Sequence, residues 1–214
     1  MAVLTIRQQL YRTLKQRILD GVYPPGAHLN IDIIAKEQGV SNSPLREAMT
    51  LLVKDRLVEN RPNAGMYVIE ITPLLYRELV DTINTWIVGA YRLCLKYGKT
   101  ECLLALMEER LRALKKVIRR GTDRERIFAI LDFQRCFVTA TENKVFISSF
   151  SSEFDRLCLA YYYNHLGREI DWDINVQRAA TIIDAVKSGL VDTVSDMIWT
   201  WSVPHFEANQ IPEE

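Results

Sequence analysis

The sequence predicts a mainly α-helical protein, with an N-terminal winged helix-turn-helix followed by an all-helical bundle of about six helices. Three observations predict this class. Apolar residues recur at helical spacing in three short segments before residue 55. Two short β-prone segments then flank the turn residues Pro62-Asn63-Ala64-Gly65. From Leu74 onward the apolar spacing stays helical.

The composition favours a globular protein without a strong overall charge. The chain has 214 residues, 48% hydrophobic and 25% charged, with 27 basic and 27 acidic side chains. Binding to nucleic acid must therefore depend on a local basic patch. No segment approaches the roughly 20 consecutive apolar residues that a bilayer-spanning helix needs, so no membrane partner is expected. Cys94, Cys102, Cys136 and Cys158 form no CxxC pair and are interpreted as small core residues.

The first two predicted helices are short and amphipathic. From Thr5 to about Gly21, Ile6, Leu10, Leu14, Ile18 and Leu19 recur at helical spacing. The segment from Val22 to Gly26 contains two prolines and must break this helix. A second helix from Ile31 to Gln38, capped by Asn30, is expected to point Ile33, Ile34 and Ala35 inward.

The stretch from Gly39 to Leu52 is the candidate DNA-contacting helix. Ser41 or Ser43 can cap it, and Pro44 fits its first turn. Leu45, Ala48, Met49 and Leu52 form its buried stripe, which leaves Asn42, Ser43, Arg46 and Thr50 on the open face. Short polar groups around one arginine at a helix start can contact base edges in a major groove. By itself this stretch also fits an ordinary solvated helix.

The flanking segments favour the first interpretation. Val58 to Arg61 and Met66 to Ile69 are predicted strands, and three helices followed by a hairpin is the winged helix-turn-helix order. Arg61, Asn63 and Gly65 on the wing can then lie along the DNA backbone or in the minor groove.

The pattern changes at Ile71-Thr72-Pro73, where we place the domain boundary. Residues 1–71 form the predicted DNA-binding domain and residues 72–214 the predicted helical domain. Its helices are expected from about Pro73 to Tyr97, Thr100 to Arg120, Asp123 to Thr141, Lys144 to His165, Ile174 to Ser188 and Val191 to Glu207.

Several spaced motifs resemble the GntR-type bacterial transcription regulators. They are Ile18 to Gly26, Gly39-Val40-Ser41, Ser43 to Ala48, Leu57-Val58 and Gly65 to Val68. Asn143, Phe133 and the segment from Ile182 to Gly189 are similar to the FCD domain of the fatty-acid-regulator subgroup. The resemblance implies a homodimer that binds a palindromic operator and releases it when a small molecule occupies the helical domain.

The resemblance also implies which residues contact DNA. The position of Arg46 contacts DNA in the family, and arginines are common at the positions of Asn42 and Thr50. Because both are uncharged here, the operator is expected to differ from the usual one. Many FCD domains hold a divalent metal, but the ligand positions fall on Ile130, Gln134, Ala179 and Trp201, so neither metal nor cofactor is expected. Asp132 and Cys136 could supply two of the metal ligands only if the alignment with the family were shifted by two residues.

The same alignment places Ile83 and Ile87 where the family carries charged cavity residues. The expected effector site therefore comprises Ile83, Ile87, Ile130, Gln134, Ala179 and Trp201, with Gln134 as its polar anchor, and suits an apolar or aromatic molecule. The alternative is that these side chains pack the bundle shut and the protein responds to no effector.

The predicted function is a cytoplasmic, homodimeric, ligand-responsive DNA-binding regulator that acts as a repressor. The alternatives are an effector-blind DNA-binding or interaction protein and an enzyme built on the helical domain. The enzyme finds little support, because no nucleophile, base and orienting group occur at a recognisable spacing.

Overall fold

The computed structural model describes residues 4–201, and the contacts divide the chain into two compact units, Met1–Ile71 and Thr72–Glu214. The first unit contains helices α1 (Ile6–Leu19), α2 (Ile31–Gln38) and α3 (Asn42–Lys54) and strands β1 (Val58–Arg61) and β2 (Gly65–Val68). This order is that of a winged helix-turn-helix, as the sequence predicts.

Local hydrogen bonds set the limits of the first two helices. Thr5 and Gln8 form a reciprocal capping box at the start of α1, and the side chain of Asn30 accepts from the backbone N–H of Ile33 in α2. Gly39 ends α2 with φ +64°, a left-handed conformation that glycine adopts without steric penalty. The turn therefore ends α2 three residues before α3 begins.

The core of the first unit lies between α1 and α3. Leu10, Leu14 and Ile18 of α1 are buried, and on α3 the predicted stripe of Leu45, Ala48, Met49 and Leu52 is fully buried. Burying a Leu or Met side chain contributes about 1.5–3 kcal/mol. This core fixes which face of α3 remains in solvent.

Two isoleucines do not join this core. Ile6 is 58% exposed and Ile33 is 57% exposed, so the expectation that Ile33 points inward with Ile34 and Ala35 is wrong. Three consecutive residues of a helix span about 200°, which is wider than the single face that the eight-residue α2 buries. Ile34 and Ala35 take that face.

The wing is a two-stranded antiparallel hairpin. Val58 pairs with Val68, and Arg61 pairs with Gly65 next to the turn. His28, in the extended segment after the two prolines, adds an isolated bridge to Tyr67. The base of the wing is thereby attached to the segment between α1 and α2.

The second unit is a bundle. Within the described residues its helices are α4 (Pro73–Lys96), α5 (Thr100–Arg120), α6 (Asp123–Ala140), α7 (Lys144–His165), α8 (Trp172–Lys187) and α9 (Val191–Trp201). The fold class predicted from the sequence is confirmed. The segment predicted to extend the last helix to Glu207 lies outside the described residues, as does His205.

Aromatic side chains of α4, α6, α7 and α9 meet in the bundle core. Phe137 of α6 packs edge-on against Tyr91 of α4, with ring centroids 5.8 Å apart, and Phe150 of α7 lies against Trp86 of α4 at 6.2 Å. Phe133 of α6 stacks on Trp201 of α9 at 5.5 Å. Ten of the 18 residues of α6 are buried, so this helix lies at the centre of the bundle.

The cysteines do not all belong to this core. Cys94 and Cys136 are buried, and burial raises the pKa of their thiols to about 11 and about 12. Cys102 is exposed on α5, so its interpretation as a core residue is wrong. All four cysteines are free of disulfide bonds.

Among residues 4–201 no helix has both the length and the apolar character that crossing a bilayer requires.

Candidate functional site

The exposed face of α3 carries the four predicted DNA-contacting side chains. Ser43, Arg46 and Thr50 are exposed and Asn42 is half-buried, while the opposite face packs on α1. These four positions lie within the first nine residues of α3. A polar strip of this length matches the part of a recognition helix that reaches base edges.

Arg46 is the free cation of this strip. Within residues 4–201 its guanidinium makes no hydrogen bond or ion pair, and its side chain is solvent-exposed. Thr50, one turn later, donates its hydroxyl to the backbone carbonyl of Arg46 at 3.0 Å and keeps its oxygen as an acceptor. Five unengaged N–H donors in a planar fork suit guanine O6 and N7, or phosphate.

The start of α3 leaves backbone donors open. Ser41 occupies the N-cap position but makes no capping side-chain hydrogen bond. The N–H groups of the first turn are thus not used by the cap. An unsatisfied helix start favours an anionic group such as a DNA phosphate.

Asn42 has a partner that the sequence did not indicate. Its Nδ2 donates to Oδ1 of Asp32 on α2 at 2.7 Å. One amide proton and the carbonyl oxygen of Asn42 remain for another contact. Asp32 precedes Asn42 by ten residues on a different helix, so only the packing of α2 beside α3 reveals the pair.

The wing places its predicted contact residues at the turn, but Arg61 is already engaged. Its Nε donates to Glu59 at 2.5 Å and its Nη2 to Glu70 at 2.9 Å, and its guanidinium lies 4.3 Å from the ring centre of Tyr67. The hydrogen bonds to Glu59 and then Glu70 raise the pKa of Arg61. A phosphate must therefore compete with two carboxylates for this side chain.

Asn63 and Gly65 shape the wing tip. Both have positive φ, +59° and +99°. A Cβ added at Gly65 would lie 3.1 Å from Nε2 of His28, closer than most side-chain contacts. Asn63 is exposed beside this tight turn, so the amide of Asn63 is presented to solvent at the end of the hairpin.

The helical unit places all six predicted effector residues in its interior. Their exposed fractions lie between 0% and 5%: Ile83 and Ile87 on α4, Ile130 and Gln134 on α6, Ala179 on α8 and Trp201 on α9. The five apolar or aromatic members are also what a closed core would contain. Gln134 and Trp201 carry polar atoms as well: neither atom of the Gln134 amide nor Nε1 of Trp201 has a hydrogen-bond partner among the described residues.

A second buried amide of this kind, which was not among the residues predicted from the sequence, lies on α4. Asn84 on α4 is 1% exposed, and both its Nδ2 and Oδ1 also lack partners among residues 4–201. The sequence does indicate that Asn84 is buried, because it falls on the same helical stripe as Val80, Ile87 and Tyr91.

The helical unit does not fit the metal that FCD domains often hold. Of the four aligned positions only Gln134 carries an oxygen or nitrogen that ligates metals, while Ile130, Ala179 and Trp201 offer none that zinc, nickel or manganese prefers. Within the described part of the chain, no three His, Cys, Asp or Glu side chains converge as metal ligands do. Asp132, from the alternative pair with Cys136, is ion-paired with Arg110 at 3.0 Å and with Arg135.

The fold and its exposed α3 face define a winged helix-turn-helix DNA-binding protein with a helical second unit. Two family matches give the particular family. Residues 6–68 match the bacterial regulatory proteins of the gntR family, and residues 97–200 match the FCD domain. The chain belongs to the GntR family of transcriptional regulators, in the group that carries an FCD domain.

Bacterial relatives have matching descriptions. The HTH-type transcriptional regulator YdhC of Bacillus subtilis is 35% identical over 118 residues, which are 54% of this chain and 51% of that protein. The HTH-type transcriptional repressor RspR of Escherichia coli is 34% identical over 67 residues, 31% of this chain and 29% of that protein. The chain thus spans about half or less of the length of these curated relatives.

Two solved structures share the fold over nearly the whole chain. Escherichia coli McbR/YncC superimposes with a TM-score of 0.72 at 20% identity, covering 93% of this chain and 95% of its own. A GntR transcriptional regulator from Rhodococcus sp. RHA1 gives 0.68 at 20% identity, covering 91% and 92%. At this identity the likeness concerns the fold.

Proposed function

We propose that this regulator is a cytoplasmic, homodimeric repressor that binds a palindromic operator through residues 1–71 and is controlled by a small molecule in residues 72–214. The observation that supports the DNA contact best is Arg46. It is an exposed cation without a partner in the described chain, on the open face of a helix whose other face is buried.

Two copies of α3 are needed for useful affinity. One arginine with short polar neighbours offers few base contacts, and each good bidentate contact is worth about 1–3 kcal/mol of discrimination. A two-fold dimer doubles these contacts on two inverted half-sites. Membership of the GntR family supports a dimer, and the repressor name of RspR supports the direction of regulation.

The test is Arg46→Ala, with Lys54→Ala as the matched control. Both remove one exposed cation from α3, but Lys54 lies in the last turn, two turns beyond Arg46. We expect Arg46→Ala to lower operator affinity by at least tenfold per half-site and Lys54→Ala to change it little. The measurement is fluorescence anisotropy with an operator selected from random DNA.

Retained sequence-selective binding by Arg46→Ala would contradict the assigned role. Circular dichroism and sedimentation of both variants serve as the fold and assembly controls. The guanidinium of Arg46 makes no hydrogen bond or ion pair with a described residue, so its removal should leave the winged-helix unit folded.

The effector-responsive function is favoured over the effector-blind alternative by the interior amides. A closed core of apolar side chains would gain nothing from a buried carboxamide without hydrogen bonds, which costs about 1–3 kcal/mol. Gln134 has such a carboxamide. An occupant that hydrogen-bonds Gln134 removes this cost, and one that prefers a single dimer state shifts the population of DNA-competent protein.

A further inference from the structure

The interior of the helical unit contains a concentration of unpartnered polar atoms. Asn84, Tyr91, Gln134 and Trp201 are each at most 5% exposed. Six of their atoms have no hydrogen-bond partner among residues 4–201: Asn84 Nδ2 and Oδ1, Gln134 Nε2 and Oε1, Tyr91 Oη and Trp201 Nε1. Buried polar groups in native proteins are nearly always hydrogen-bonded, so a set of six calls for an occupant.

Helix directions place the two amides near each other. Helix α4 is antiparallel to α7, since Trp86 meets Phe146 whereas Tyr76 meets Tyr161. Helix α6 is also antiparallel to α7, because a three-residue connection joins the two packed helices. Helices α4 and α6 therefore run in the same direction.

The ring contact of Tyr91 with Phe137 gives the relative height of the two helices. Asn84 precedes Tyr91 by seven residues and Gln134 precedes Phe137 by three, so the amides differ in height by about 6 Å. Asn84 lies within about 20° of the face of Tyr91, and Gln134 within about 60° of the face of Phe137. Both amides therefore lie on the sides where α4 and α6 meet.

The charges around this cluster do not favour an ionised ligand. Asp132 is a buried carboxylate of α6, and it is paired with Arg110 at 3.0 Å and with Arg135. Arg178 of α8 is exposed and donates to the backbone carbonyl of Trp201 at 3.4 Å. A carboxylate placed beside Asn84 and Gln134 would lose its hydration, and Arg178 is exposed to solvent rather than buried with the two amides.

The unpartnered side-chain groups determine which ligand chemistry can bind between them. Each carboxamide offers an N–H donor and a C=O acceptor side by side, which matches the adjacent C=O and N–H of a ring amide. Phe133 and Trp201 stack at 5.5 Å and provide a flat aromatic wall. Trp201 Nε1 and Tyr91 Oη add further hydrogen-bonding groups.

We infer that the effector is an uncharged, planar heterocycle with a ring amide or ureide, held between Asn84 and Gln134 and stacked near Trp201. This inference rests on the proposed effector-responsive function and narrows its ligand class. It narrows the apolar or aromatic molecule expected from the sequence, for which Gln134 was the polar anchor, because Asn84 adds a second buried amide.

The test measures thermal melting of the full-length protein with three matched probes. They are 2-quinolinone, which carries the ring amide, naphthalene, which has the same shape without it, and 2-naphthoate, which has a charge. Uracil and its carboxylate orotate repeat the comparison with a smaller ring. We expect the ring amides to raise the melting temperature by several degrees and the hydrocarbon and carboxylates to leave it unchanged.

Two variants link the shift to the amides. Asn84→Leu and Gln134→Met should each abolish the shift while the ligand-free variant melts at or above the temperature of the parent, because an unpaired buried amide has been removed. Gln177→Met, which changes an exposed glutamine of α8, should keep the full shift. A larger shift with the carboxylates, an unchanged shift in both interior variants, or no shift with either ring amide would overturn the inference.

Operator binding separates this inference from the proposed function. The Arg46 experiment uses ligand-free protein and does not depend on any effector. A ring amide that raises the melting temperature but leaves operator affinity unchanged would retain the binding site and refute its regulatory role. The expected result is that a ring amide raises the melting temperature and also weakens operator binding at least tenfold.

Discussion

At the scale of single residues, Asp32 gives Asn42 a defined orientation. Its carboxylate uses one amide proton of Asn42 at 2.7 Å and leaves the other proton and Oδ1. Those two groups are the ones that asparagine presents to adenine N7 and N6. An acidic side chain beside a DNA-contacting helix also repels phosphate. Asp32 therefore orients the Asn42 amide but lowers the affinity for DNA.

Asp32→Ala should reduce the preference for adenine opposite Asn42 by about 1 kcal/mol while raising affinity for unrelated DNA. The first effect follows because the freed amide can rotate, and the second because a negative charge is removed. Sequencing of DNA bound from a randomised half-site library measures both.

Glu37→Ala is the matched control for Asp32→Ala. It removes an exposed carboxylate from α2 that pairs with Arg17 at 3.4 Å and does not contact Asn42. An identical change in base preference in both variants would show that charge alone is responsible.

The exposure of a side chain can be predicted from the sequence where it follows from helical spacing. Arg46 is exposed because Leu45, Ala48, Met49 and Leu52 take the other face of α3, and that division follows from a period of 3.6 residues. The pairing of Asn42 with Asp32 depends on how α2 packs beside α3. The engagement of Arg61 by Glu70 likewise joins residues on two sides of the hairpin.

At the scale of elements, most helix limits follow from local capping chemistry. Helices α5 and α7 begin and end at the residues expected from the sequence. Helix α8 begins two residues before the predicted Ile174, because the side chain of Asp171 accepts from the N–H groups of Asp173 and Ile174. An aspartate cap precedes the apolar spacing, so periodicity alone places the start too late.

The capping box of α6 offers a stability test. Thr122 accepts from the N–H of Glu125, and the Glu125 carboxylate accepts from the Thr122 N–H at 2.7 Å. Thr122→Ala should reduce the free energy of unfolding of the helical unit by about 1 kcal/mol. Urea denaturation measures it, with Thr139→Ala, on the exposed face of α6, as the control.

The same capping box predicts a dependence on pH. The backbone N–H and then the hydroxyl of Thr122 lower the pKa of Glu125. Because the folded pKa lies below the unfolded one, the stabilisation is complete above the ordinary glutamate pKa of about 4.3 and is lost as pH falls through the folded value. Glu125→Gln should therefore flatten the acid limb of stability, and an unchanged limb would contradict this.

At the scale of the whole molecule, the proposed dimer makes operator spacing a geometric quantity. Two copies of α3 related by a two-fold axis must enter the major groove on one side of the duplex. Inserting about five base pairs between the half-sites, half of the roughly ten per turn, should rotate one half-site away and reduce binding to that of a single half-site.

Gel-shift titration of the parent and lengthened operators measures the spacing effect. A single half-site of the same length is the control. Equal affinity for the parent and lengthened operators would contradict a rigid two-fold arrangement and indicate independent binding of the two winged helices.

The charge around Arg61 on the wing affects how long the regulator stays on non-operator DNA. Glu59 and Glu70 together carry two negative charges around the single positive charge of Arg61. Non-specific binding to DNA depends on unpaired cations. Such a wing therefore contributes little to the affinity for non-operator DNA. The regulator should leave wrong sites quickly, and its occupancy of the operator should depend on the match at α3.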